Sequence, residues 1–204
     1  MEDRELLEAW RDGDRAAGEA LLARHFAALY RFFGNKVQHS VDDLIQDTML
    51  AMVRSRDAYR GEASFRSYLF VVARNELYRR LRTRRRKPDP APLEQESIMD
   101  LVDSPSQIVG RSREETLLLR ALRRIPLQHQ ILVELHYWEE MTTADLAASM
   151  GVPVGTIKSR LRAARKRLEA EMAELESDPS LLASTLDNLD RWAASVRDAV
   201  AEDP

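Results

Sequence analysis

Apolar residues recur along this chain at intervals of three and four, the period at which an α-helix buries one stripe. In the N-terminal part Leu6, Leu7 and Trp10 form one such set, and Ala20, Leu21, Phe26, Leu29, Tyr30 and Phe33 a second. A break at 34–40 precedes a third set, Leu44, Ile45, Thr48, Met49 and Met52. It predicts a helix over 41–55 with Asp42, Asp43 and Asp47 turned outward. Gly61 marks a loop over 57–63, after which Ser64 has the place of an N-cap. The long helix it opens carries Phe65, Leu69, Val72, Ala73, Leu77 and Leu81 into a basic run at 82–87.

Periodicity stops at 88–110, where Pro88, Pro90, Pro92 and Pro105 sit among acids and small polar residues, the composition of an extended tether. Helical patterning resumes over 113–124, and Pro126 opens a further helix over 127–138. Nothing alternates with the period of a strand. The expected fold is therefore all-α: two small helical domains, 1–87 and 111–176, joined by a flexible linker at 88–110. The second domain ends in a helix-turn-helix. An acidic extension at 177–204 repeats Leu181, Leu182, Thr185, Leu186, Leu189, Trp192 and Val196 at helical spacing. That stripe has to be buried, either on its own domain or over a basic surface or a regulator.

Charge sharpens this division. The net charge of −3 hides five blocks: −4 over 1–50, +9 over 51–87, −5 over 88–110, +5 over 111–168 and −8 over 169–204. Two basic blocks on helical segments point to two nucleic-acid contacts on one chain, with acidic surfaces left for other partners. With no cysteine there is no disulfide, thiolate metal site or thiol nucleophile. His25, His39, His129 and His136 lack ligand spacing, and no phosphate loop or nucleophile motif appears. Neither an enzyme nor a metal or other cofactor is expected. No apolar run reaches the roughly 18 residues of a membrane span, so no membrane insertion and a cytoplasmic location are expected.

The most specific local signal lies at 142–167. Thr142-x-x-Asp145 is a capping-box start, and Gly151-Val152-Pro153 supplies a left-handed turn followed by a preset first helical turn. Ala147, Gly151 and Ile157 have helix-turn-helix spacing, with a small residue where the helices cross. The second helix has an apolar seam of Ile157, Leu161, Ala164 and Leu168. Its other faces carry Lys158, Arg160, Arg162, Arg165, Lys166 and Arg167, with Thr156 and Ser159 near the start. Arginine grips phosphate or pairs with guanine, and the hydroxyls reach a phosphate or base edge.

The run 151–168 resembles the terminal DNA-binding helices (region 4) of bacterial RNA polymerase sigma factors, in particular the extracytoplasmic-function type, group IV of the sigma-70 family. The helix at 124–138 resembles the one that leads that domain. Independently, 42–50 resembles the acidic region 2 helix that docks on polymerase, and 65–75 the helix that melts and reads the −10 element. The likeness covers roughly 5–170 in the family's order. It implies a transcription initiation factor with core RNA polymerase and promoter DNA as partners, and it leaves place for an anti-sigma factor. Asp42, Asp43, Gln46 and Asp47 would meet polymerase. Tyr59, Arg60 and Gly61, with Arg74, Asn75, Arg79 and Arg82, would handle opened −10 DNA. Thr156, Lys158, Ser159, Arg160, Arg162, Arg165 and Lys166 would read the −35 duplex. Many members have Trp where this chain has Tyr68, and Asp where it has Arg79. The second departure bears on −10 preference. The competing reading, a free-standing helix-turn-helix regulator, leaves the acidic helix and the first basic block without a role.

Overall fold

The computed structural model describes residues 1–37, 40–59, 61, 64–84, 92–101 and 112–187, and the regular structure among these is α-helical apart from short 3-10 turns and a single β-bridge. Asp3–Arg11 (α1) and Arg15–Arg24 (α2) form an antiparallel pair. The carboxylate of Asp14 caps α2 by accepting from the Ala17 N–H at 3.1 Å. Gly18 is what lets the two helices approach: the indole of Trp10 occupies the space that a side chain there would need. Phe26–Gly34 (α3), Val41–Ser55 (α4) and Phe65–Arg84 (α5) complete the N-terminal half around Leu29, Phe33, Leu44, Met52, Leu69, Phe70 and Leu77. Phe65 and Phe70 are core residues, 4% and 1% exposed.

The reading of 20–33 as one stripe needs correction. The chain turns at His25, which ends α2 and begins α3, and the helical phase is reset there. Leu21, Leu29 and Phe33 stay buried, whereas Ala20, Phe26 and Tyr30 emerge on the surface.

In the C-terminal half Arg113–Leu122 (α7), Leu127–Tyr137 (α8), Thr143–Met150 (α9) and Val154–Leu175 (α10) pack around two sets of side chains. Leu117, Leu118, Leu122, Val133, Trp138, Ala164, Leu168 and Met172 form one. The other, Leu127, Ile131, Leu132, Leu135, Leu146, Ala147 and Ile157, is continuous with the core of the N-terminal half, and α5 lies against α9.

The tether expected over 88–110 behaves differently in its described part. Residues 92–101 form a 3-10 turn at 93–95 and the short helix Ile98–Leu101 (α6), with Leu93 and Ile98 buried in the shared core. The Leu127 N–H donates to the Glu96 carbonyl at 2.8 Å, and Ser97 bridges to Pro126. Prolines and acids dominate the composition, but two well-placed aliphatic side chains suffice to anchor the segment. Pro179–Asp187 (α11) packs on α7 and α10 through Leu181 and the fully buried Thr185, so this part of the extension adds to its own domain's core. Trp192 and Val196 lie outside the described residues.

Candidate nucleic-acid interface

The helix-turn-helix is built as its residue types require. Thr142 Oγ1 accepts from the Asp145 N–H and the Asp145 carboxylate accepts from the Thr142 N–H, both at 3.1 Å, satisfying donors that a helix start leaves open. Gly151 has φ 64°, a left-handed backbone that costs glycine little. The Val152 N–H returns to the Ala147 carbonyl at 3.1 Å, closing the turn. Ile157, Ala164, Leu168 and Met172 are buried along one side of α10, which fixes its rotation. Lys158, Ser159, Arg160, Arg162, Arg165 and Lys166 are consequently exposed, and Thr156 is half-buried at the helix start. Arg165 pairs with Glu169 at 3.1 Å, whereas Lys158, Arg160, Arg162 and Lys166 have no ion pair to a described residue. An α-helix about 10–12 Å across has the dimensions of a major groove about 12 Å wide, and this one carries exposed cations without ion pairs among the described residues.

The second basic surface is organised by α5, whose start is capped by Ser64 Oγ accepting from the Ser67 N–H at 3.1 Å. Arg74, Asn75, Tyr78 and Arg82 face a cavity of about 310 Å³ that Gln128, His129, Met150 and Arg160 close from the other half. Arg82 also approaches Glu94 at 3.6 Å. Burial, together with the nearby Arg167 and Arg160, pushes the His129 imidazole below its usual pKa. Arg79 is separated from this group: its guanidinium reaches Glu76 at 2.6 Å and Asp47 of α4 at 2.8 Å.

In the preceding loop Tyr59 stacks near Tyr68, with ring centroids 4.9 Å apart, and Gly61 adopts φ 75°. Arg60 lies outside the described residues. Two residues that periodicity did not single out hold the loop's entrance. Arg11 of α1 donates to the Arg56 carbonyl at 2.9 Å and to the Tyr59 carbonyl. Arg56 donates to the Trp10 carbonyl at 3.1 Å and lies over its indole. Pairings 45 to 48 residues apart leave no periodic trace in a sequence.

The acidic helix α4 exposes Asp42, Asp43 and Gln46, with Asp47 half-buried. Asp43 pairs with Arg80 at 2.9 Å and Asp47 with Arg79, so these two carboxylates are already engaged. Beside Asp42 and Gln46 runs an apolar groove of about 240 Å³, lined by Phe26, Ile45, Met49, Leu50 and Val53. Phe26 of α3 and Leu50 and Val53 of α4 are 45%, 45% and 49% exposed, an unusual apolar strip beside a charged helix face. Alternation of polar and apolar residues marks one face of α4, but a shallow groove shared with α3 needs the tertiary fold.

Residues 19–87 match the sigma-70 region 2 family model and residues 115–168 the sigma-70 region 4 model. The chain is 34% identical over 170 residues to the ECF RNA polymerase sigma factor SigM of Mycobacterium tuberculosis, covering 81% of this chain and 82% of that protein. The chain is a sigma-70-family sigma factor of the extracytoplasmic-function group. ECF RNA polymerase sigma factor RpoE of Cereibacter sphaeroides is 30% identical over 172 residues, with 82% and 93% of the two chains covered. The fold of this sigma factor is also similar to that of CnrH, solved in complex with the cytosolic domain of CnrY. The TM-score is 0.60 at 23% identity, covering 84% of this chain and 97% of that one. RpoE from Bartonella quintana, solved with the anti-sigma factor NepR, gives a TM-score of 0.56 at 23% identity over 76% and 96% of the chains. As a sigma factor with both regions, the chain is a promoter-directing initiation factor rather than a free-standing regulator. Among the described residues no helix is long and apolar enough to cross a membrane.

Proposed function

We propose that this sigma factor divides its work among three surfaces. The exposed face of α10, from Thr156 to Lys166, reads the −35 duplex. Tyr59, Arg60 and Gly61 with Arg74, Asn75 and Arg82 hold opened −10 DNA, where stacking and cationic contacts contribute about 1–3 kcal/mol per base. Arg79, exposed on the same helix, belongs to this set and is paired with Asp47 and Glu76 in the free chain. The acidic rim of α4, Asp42, Asp43, Gln46 and Asp47, bounds the Phe26–Leu50–Val53 groove and docks on core polymerase. Apolar contact there supplies affinity, and the charges supply register and encounter rate. The domain bounds 1–87, 88–110 and 111–176 describe this division. The protein carries out no reaction of its own, needs no cofactor and works in the cytoplasm beside polymerase, where an anti-sigma factor would compete for the same faces.

The observation that carries this reading is the capped helix-turn-helix whose α10 presents Lys158, Arg160, Arg162 and Lys166 without ion-pair partners among the described residues. Reconstitution with core polymerase and sequencing of the RNA starts tests it. Defined starts preceded by two spaced elements are expected. With Arg162→Ala, loss of a single phosphate contact would lower the slope of log affinity against log salt by about 1. Absence of both polymerase binding and defined starts would overturn the assignment.

A further inference from the structure

Buried charge is matched where α3 meets α8. Lys36, fully buried, donates to Glu134, and Arg31 Nε donates to the buried Glu139 at 3.2 Å. The cavity among α5, α8, α9, α10 and the 3-10 turn at 93–95 is different. Three guanidiniums, Arg74, Arg82 and Arg160, line it against one carboxylate, Glu94, an excess of two positive charges. Glu94 lies beside Arg82, whereas Arg74 and Arg160 have no ion pair to a described residue. Arg74 Nε and His129 Nδ1 are buried without a hydrogen-bond partner. An open buried polar atom costs free energy, and native structures keep few of them. Two in one cationic cavity call for an anion.

We propose that this cavity binds a diphosphate group, either free or carried by a nucleotide. An anion of charge −2 or more cancels the local excess, and its several oxygens can accept from guanidiniums on opposite walls. Gln128 and His129 stand in the first turn of α8, whose positive dipole end adds to the attraction. Burial pushes the Tyr78 phenol up to about 12, so its hydroxyl stays protonated and can donate. A volume of about 310 Å³ is at the small end of ligand sites, which suits a compact polyanion. Ile131, Leu132 and Met150 supply an apolar wall on which the base of a nucleotide can rest. Such a ligand competes with opened −10 DNA for Arg74 and Arg82. That consequence rests on the DNA assignment made above, whereas the binding site does not.

Calorimetric titration of the full chain with sodium diphosphate, at about 0.15 M salt, should show saturable binding of one equivalent. Arg74→Gln with Arg160→Gln, one change from each half, should weaken it at least about tenfold, the loss of one charge-assisted hydrogen bond. Asn75→Asp, at an exposed position of the lining, adds a carboxylate and should act in the same direction even if the double variant fails to fold. Arg15→Gln with Arg120→Gln removes the same charge at exposed positions outside the lining and should change affinity less than about twofold. No saturable binding up to about 1 mM diphosphate overturns the proposal, and so does equal weakening by the outside pair. Adenosine diphosphate separates the two sources. Tighter binding than free diphosphate assigns the apolar wall to a nucleoside, and equal or weaker binding assigns the site to diphosphate itself. Diphosphate should also displace a bound single-stranded oligonucleotide; saturable diphosphate binding without displacement would instead fault the −10 assignment.

Discussion

Replacing Gly18 by alanine ought to stabilise α2 on helix propensity alone, by about 0.8–1 kcal/mol. The structure predicts the opposite sign. A Cβ at Gly18 would lie 2.5 Å from Trp10 Nε1, 2.6 Å from Cδ1 and 2.7 Å from Cε2. Ordinary contacts start near 3.5 Å, so the overlap is about 1 Å against three atoms of one rigid ring. Trp10 is only 8% exposed and has Arg56 across its face, so the indole has little room to retreat. Overpacking of this kind costs about 1–3 kcal/mol, leaving Gly18→Ala destabilised by up to ~2 kcal/mol. Urea unfolding followed by circular dichroism measures this as a lower midpoint at constant slope. The same substitution in a Trp10→Leu background should be neutral or stabilising, because the ring is gone. The reasoning fails if Gly18→Ala raises the midpoint in the wild-type background, or if the sign is the same in both. Since Arg56 donates to the Trp10 carbonyl, a displaced Trp10 should also weaken binding of single-stranded −10 DNA.

Two further outcomes follow from local chemistry. Thr142→Ala removes the α9 cap and should cost about 1 kcal/mol of stability, read as a lower urea midpoint; an unchanged midpoint would show that the cap contributes nothing. His25 is buried and bonded to Asp3 at 2.7 Å, yet burial outweighs that carboxylate, and its pKa is held below 6.5 with help from Arg66 and Arg24. Below pH 6.5 the unfolded chain therefore takes up a proton that the folded chain resists. Stability should fall as pH drops from 6.5 through the lower folded value, and unfolding midpoints at pH 7.5 and 5.5 should differ less in His25→Gln.

How much of this was legible in the sequence depended on the range of each interaction. The span of α4, the Thr142 cap, the left-handed Gly151 and the seam of α10 all rest on residues within one or two helical turns, and the sequence displays each of them. The exposure of Phe26 and Tyr30 was hidden because the stripe runs through His25 without a Gly or Pro to announce the break. The buried charges were hidden for a different reason. Lys36 and Glu134 look like solvated surface residues until a fold brings positions 98 apart in the chain together. Arg79 shared its helical spacing with Asn75 and Arg82, and only the position of α4 shows that Asp47 draws it elsewhere.

The packing of α11 redraws the edge of the DNA-binding half. The region 4 family match stops at residue 168, in the middle of α10, whereas the same apolar seam continues through the buried Met172 to Leu181 and Thr185. Recognition and folding therefore end at different places on this chain. A fragment cut where the family likeness ends would keep every side chain proposed above to read the −35 duplex and lose the buried Met172, Leu181 and Thr185. Anyone isolating the region 4 half should carry it to residue 187, treating the last helix as its floor rather than as a dispensable tail.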